Sequence, residues 1–180
     1  MFVLGIDPGL SRCGYGCVEG GPRPRAVAAG VLTTPSHTPL PERLAQLKRA
    51  LRALLAEVRP DVVAVERVLF QANARTAMSV GQASGLALAE AADAGCVVVQ
   101  YSPNEVKQAV AGYGGAPKEQ VQRMVQMQLR LAAPPRPPDV ADALALALCH
   151  LAAAPLAARV HAAERADVAA GEAGSSGAGR

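Results

Sequence analysis

Four carboxylates, Asp7, Glu66, Asp139 and Asp142, stand inside or at the end of runs too apolar for an ordinary surface. An ionised side chain in such company is costly unless a cation or hydrogen bonds compensate it. Asp7 follows Phe2-Val3-Leu4-Gly5-Ile6, Glu66 follows Val62-Val63-Ala64-Val65, and Asp139 and Asp142 lead into Ala143-Leu144-Ala145-Leu146-Ala147-Leu148. This is the pattern of a buried metal site that three separate segments must meet to build.

The intervening residues say how they meet. Residues 2–7 suit a strand buried on both faces, closed by the turn Asp7-Pro8-Gly9. Residues 13–19 and 26–34, joined by Gly20-Gly21-Pro22-Arg23-Pro24, read as two further antiparallel strands. Leu44, Leu47, Leu51, Leu54, Leu55 and Val58 recur at helical spacing among Arg43, Lys48, Arg49 and Arg52, which predicts an amphipathic helix from Leu40 that ends before Pro60. A second buried strand is expected over residues 61–68, a small-residue helix over 76–94 and a third buried strand from Cys96 to Tyr101. Helices from Asn104 to Val110 and Lys118 to Leu131 flank a glycine-rich loop, expected to be mobile, with Pro117 suited to a helix start. Prolines at 134, 135, 137 and 138 hold off the next helix until Asp139, after which it runs to about Ala154. Beyond that, Ala, Gly and Ser dominate, so residues 1–154 are expected to form one domain and 155–180 a low-complexity, disordered tail. This order predicts an α/β protein with a mixed five-stranded sheet flanked by helices, a ribonuclease-H-like fold whose strand-end carboxylates meet along one edge.

No apolar run is long enough to span a bilayer, and Met1 leads straight into a core strand, so a cytoplasmic protein is expected. Cys13, Cys17, Cys96 and Cys149 lack metal-site spacing and read as buried free thiols. The chain has 18 Lys and Arg against 15 Asp and Glu, and four of those acids belong to the proposed site. The remaining surface is distinctly basic, which favours a polyanionic partner such as nucleic acid.

Asp139 and Asp142 are three residues apart, so on a helix their carboxylates project from one face and repel each other. Oxygen ligands without matching His or Cys favour Mg²⁺ or Mn²⁺, and four acids could hold two ions roughly 4 Å apart, as in two-metal phosphoryl transfer. Each acid alone has a plainer reading. Asp7 could begin a turn, Glu66 could pair with Arg67 or Arg12, and Asp139 could cap a helix. Asp142 inside an apolar helix resists such explanations. Lys107 and Lys118 could grip phosphates or be solvated. Leu69 and Phe70 could wedge between bases or pack back on the domain. His150 reads as a helix-end residue rather than a catalytic base.

Gly5-Ile6-Asp7-Pro8-Gly9, the strand end Val65-Glu66, the segment Gly81-Gln82-Ala83-Ser84-Gly85 and Pro138-Asp139-Val140-Ala141-Asp142-Ala143-Leu144-Ala145 together resemble the RuvC family of bacterial Holliday junction resolvases, the crossover junction endodeoxyribonucleases. The likeness runs in order from residue 1 to about 152. It implies a homodimer that binds four-way DNA junctions and makes paired symmetrical nicks during recombination and repair. It further implies Asp7, Glu66, Asp139 and Asp142 as catalytic Mg²⁺ ligands, with Mn²⁺ able to substitute, and RuvA and RuvB as the partner assembly. Lys107 and Lys118 match the family's basic positions. Many members carry Phe three residues after the catalytic Glu, where this chain has Leu69 followed by Phe70. The helix over 76–94 is the candidate surface for a second copy, although its composition also suits burial against the sheet.

Overall fold

A computed structural model describes residues 1–68 and 74–154; Leu69, Phe70 and the segment 155–180 lie outside the described residues. The chain begins with a meander of β1 (Phe2–Asp7), β2 (Arg12–Glu19) and β3 (Arg25–Thr33). It continues through α1 (Leu40–Val58), β4 (Val62–Glu66), α2 (Ala74–Asp93), β5 (Val97–Tyr101), α3 (Pro103–Ala111) and α4 (Lys118–Gln128), then a last helix, α5, over residues 138–154. The sheet order is β3-β2-β1-β4-β5. Neighbours in the meander are antiparallel, whereas β4 runs parallel to β1 and β5 parallel to β4. This is the ribonuclease-H-like arrangement expected from the element order.

Because side chains alternate along a strand, β1 and β4 feed two cores. Leu4, Ile6, Val63 and Val65 face Leu47, Leu51, Leu54 and Leu55 of α1 and Ala83, Ala87 and Ala91 of α2. Val3, Val62 and Ala64 face Val106, Val121, Val125 and Leu144 of α3, α4 and α5. Both faces of the central strands are thus covered, and their continuous apolar runs follow from that. Among the described residues, no helix is long and apolar enough to cross a membrane. The four cysteines are free; Cys13, Cys17 and Cys149 are buried and Cys96 is half-buried.

Helix α5 carries two of the acids, and glycines let it lie against the sheet. A Cβ at Gly5 would strike the carbonyl oxygen of Ala143 and stand 2.9 Å from that carbonyl carbon, and one at Gly14 would meet the backbone oxygen of Asp139. Side chains there would lift α5 and take Asp139 and Asp142 away from the strand ends.

Several elements differ from their expected form. Strand β5 is an edge of the sheet rather than a third buried strand, with Val97 61% exposed, because no strand among the described residues pairs beyond it. Helix α4 stops at Gln128 rather than Leu131, and Arg130 adopts a left-handed φ of 53°. Helix α3 begins at Pro103, one residue early, because Ser102 and Glu105 form a capping box in which each side chain accepts from the other's backbone N–H. That cap fixes the first turn, one residue ahead of Lys107.

Helices α1 and α2 are tied by Glu90, which is 3% exposed and accepts from Arg52 Nε at 2.7 Å and Nη2 at 3.1 Å, with Lys48 Nζ 3.7 Å away. The Arg52 guanidinium holds the Glu90 carboxyl below the usual range. A depressed carboxylate pKa stabilises the fold above the unfolded value and is lost as pH falls through the folded one. Glu90→Gln should therefore lower the melting temperature at pH 7, with the difference from wild type shrinking as pH falls below about 4.5, the ordinary value; melts across that range check it.

Candidate active site

The site begins with the parallel register. Ile6 of β1 lies opposite Val65 of β4, so the next residues, Asp7 and Glu66, leave the sheet side by side at its carboxyl-terminal edge. Their side chains are hydrogen-bonded to one another. Burial, followed by the charges of Glu66, Asp142 and Asp139, pushes the Asp7 carboxyl up to about 7. Burial raises Glu66 as well, while its bond to Asp7 and the nearby Lys118 and Lys107 charges work against the rise. Burial and mutual repulsion therefore work against ionising both carboxyls together.

Asp142 projects from α5 into the same space. It lines a cavity of about 410 Å³ together with Asp7, Glu66, Lys107, Lys118 and Pro103. Its Oδ2 accepts from Lys118 Nζ at 2.6 Å. A neighbouring cavity of about 330 Å³, lined by Asp7, Pro8, Glu66, Arg67, Val80 and Pro103, opens from the same two strand ends. Asp139 stands apart from both. Its Oδ2 accepts from Arg12 Nη2 at 2.8 Å and Nε at 3.2 Å, and this guanidinium holds the Asp139 carboxyl below its usual range.

The plainer readings of the acids are sorted by these contacts. Arg12 takes Asp139 and not Glu66, and Arg67 donates to the Gln100 carbonyl at 3.3 Å. Lys107 and Lys118 line the acidic cavity instead of facing bulk solvent alone. His150 is half-buried, with Nδ1 2.8 Å from the Tyr101 hydroxyl, and does not line the acidic cavity. Sequence reasoning missed the Arg12–Asp139 pair and the place of Pro103 in the cavity wall. Only the position of Arg12, five residues after Asp7, hinted at the former.

Among the described residues, no three His, Cys, Asp or Glu side chains stand close enough to hold an ion as they are placed. Two of the acids are turned to basic partners instead. The donor set nonetheless fits a hard divalent cation, since every candidate ligand is a carboxylate oxygen and three of the four carboxylates line one cavity.

Residues 3–150 match the family model described as crossover junction endodeoxyribonuclease RuvC. This chain belongs to the RuvC family. A member from Chloroflexus aggregans is 54% identical over 156 residues, covering 86% of this chain and 95% of that protein. One from Salinispora arenicola is 57% identical over 153 residues, covering 84% and 87%. Among solved structures, Thermus thermophilus RuvC in complex with a Holliday junction substrate superposes with a TM-score of 0.82 at 40% identity, over 87% of this chain and 96% of that one. The yeast mitochondrial Holliday junction resolvase Ydc2 shares the fold, with a TM-score of 0.61 at 15% identity over 83% of this chain and 78% of that one. Most of the described fold, both cavities and all four acids thus fall within the RuvC family match.

Proposed function

We propose that this chain is a structure-specific endonuclease that resolves four-way DNA junctions by paired, symmetrical, metal-dependent hydrolysis of phosphodiesters during homologous recombination and repair. The observation that carries this reading is the convergence of Asp7, Glu66 and Asp142 on one lysine-lined cavity, with Asp139 one helical turn from Asp142, in a chain of the RuvC family.

Asp7, Glu66, Asp139 and Asp142 would hold Mg²⁺, as two ions, with Mn²⁺ able to substitute. Divalent cations bound there supply Lewis acidity to the phosphodiester and lower the pKa of water. The chain's own groups do the rest. The sheet edge fixes Asp7 and Glu66, α5 fixes the other two acids, and Val106, Val121 and Leu146 form the apolar wall beside them. Lys107 and Lys118 place positive charge where a DNA strand must pass to bring a phosphate to the acids. Each of Lys107→Ala and Lys118→Ala should weaken junction binding and reduce the slope of log affinity against log salt by about 1; anisotropy titrations at several salt concentrations check it.

Cutting two strands symmetrically needs two sites, hence a second copy. Helix α2 buries Ala83, Ala87 and Ala91 inward, while among the described residues nothing lies within 4 Å of a Cβ placed at Gly81 or Gly85 and Met78 is 66% exposed, which leaves a face for that copy. RuvA and RuvB are the assembly proposed to deliver the junction, with the cytoplasm as the compartment. Leu69 and Phe70, just past Glu66, are proposed to meet the bases at the junction. The test compares a four-way junction with a linear duplex of the same sequence. Selective binding of the junction in chelator, followed by nicking once Mg²⁺ is added, supports the reading. Equal affinity for both, or tight binding without any nick in Mg²⁺ or Mn²⁺, refutes it.

A further inference from the structure

We infer that Arg12 is a positioning residue for Asp139: its guanidinium holds the carboxylate outside the acidic cavity and competes with a divalent cation for it. The inference rests on the metal-dependent reading above. Three of the four acids line the 410 Å³ cavity and Asp139 does not. What separates Asp139 from the others is its partner, since both Arg12 bonds converge on the single oxygen Oδ2.

Both ends of this contact stand on fixed backbone. The turn before Arg12 is clamped by Thr34 and Arg43. The Thr34 hydroxyl donates to the Leu10 carbonyl at 2.6 Å, Arg43 Nε donates to Thr34 Oγ1 at 3.0 Å, and Arg43 Nη2 donates to Ser11 Oγ at 2.6 Å. Thr34 N–H also donates to the Ser11 carbonyl at 3.3 Å. Loop, β3 end and α1 start are thereby joined, and the guanidinium reaches out from a set base. On the other side, the backbone of Asp139 lies directly over Gly14.

The contact is also weak enough to yield. The Arg12 and Asp139 side chains are 50% and 24% exposed, and ion pairs so open to water contribute little to stability. Arginine keeps its charge at every accessible pH, so only a competing cation or anion releases the carboxylate. Asp142 is held differently, because its partner Lys118 itself lines the cavity.

The test is calorimetric titration of the DNA-free protein with Mn²⁺, beside Arg12→Gln, Arg12→Lys, Asp139→Asn and the double variant Arg12→Gln/Asp139→Asn. Melting curves in chelator confirm that each is folded. Arg12→Gln should bind Mn²⁺ about two- to fivefold more tightly, the gain from removing one exposed competitor, and Arg12→Lys should stay near wild type. The gain should vanish in the Asp139→Asn background, where there is no carboxylate to compete for. Unchanged or weaker Mn²⁺ binding by folded Arg12→Gln, or a gain that persists without Asp139, overturns the inference. A wild-type protein that binds no Mn²⁺ and cuts no junction would instead overturn the functional reading beneath it.

Discussion

Asp7→Asn is expected to reduce junction cutting by at least about 10²-fold while leaving junction binding in chelator nearly unchanged. The amide keeps the shape of the side chain, so β1 and the cavity wall stay in place, but it removes the carboxylate at the centre of the acidic cluster. The same substitution should stabilise the ion-free protein above neutral pH. Burial and neighbouring charge raise the Asp7 carboxyl from 3.8 to about 7. The folded state therefore holds a proton that the unfolded chain gives up near pH 4, and the stability tied to that proton falls away as pH rises through 7. Asparagine has no such proton to lose. The melting temperature of Asp7→Asn relative to wild type should climb between about pH 4 and 8 in chelator, as melts at several pH values will show. A variant that melts lower at pH 8, or fails to bind junctions, would mark Asp7 as a structural residue.

Gly5→Ala is expected to cost on the order of 4 kcal/mol or to prevent folding, at the extreme end of single substitutions. One methyl group is a small change, but the added carbon would strike the Ala143 carbonyl oxygen and stand 3.0 Å from the Ala147 backbone nitrogen. Both obstacles are backbone atoms of α5, so no side chain can rotate out of the way; the helix must rise as a body. Chemical denaturation measures the loss. If the variant folds at all, its cutting should fall far more than its junction binding, because α5 carries Asp139 and Asp142. A loss below about 1 kcal/mol would show that α5 does not rest on β1 as closely as described.

Much of the site is legible in the chain because burial leaves a simple mark. Strands covered on both faces must be apolar throughout, so the acids that end them at Asp7 and Glu66 stand out, as does Asp142 within a helix whose neighbours are Ala and Leu. The helices between β1, β4 and β5 call for parallel pairing, and that alone sets two strand ends together. Contacts that depend on the relative placement of distant elements leave no such mark. Arg12 and Asp139 lie 127 residues apart, and only the place of Arg12 five residues after Asp7 hints at the pair. Gly5 and Gly14 look like ordinary strand glycines until α5 is laid across them. The edge position of β5 follows from sheet order rather than from its own Val-rich residues, which read as buried. The Ser102–Glu105 cap is readable in principle, since Ser followed three residues later by Glu is a helix-start signature, and it moves the start one residue ahead of the Asn104 that the helical run suggests.

The measurement that bears most directly on the central claim uses a four-way junction with each strand end-labelled in turn, incubated with the full chain and Mg²⁺ and resolved at single-nucleotide length. Wild type should give two nicks at symmetry-related positions in opposite strands, resealable by ligase and absent with chelator. Asp7→Asn, Glu66→Gln, Asp139→Asn and Asp142→Asn should each retain binding and lose both nicks. Nicks that persist in any of the four variants, fall on unrelated positions, or form equally on linear duplex would contradict the account.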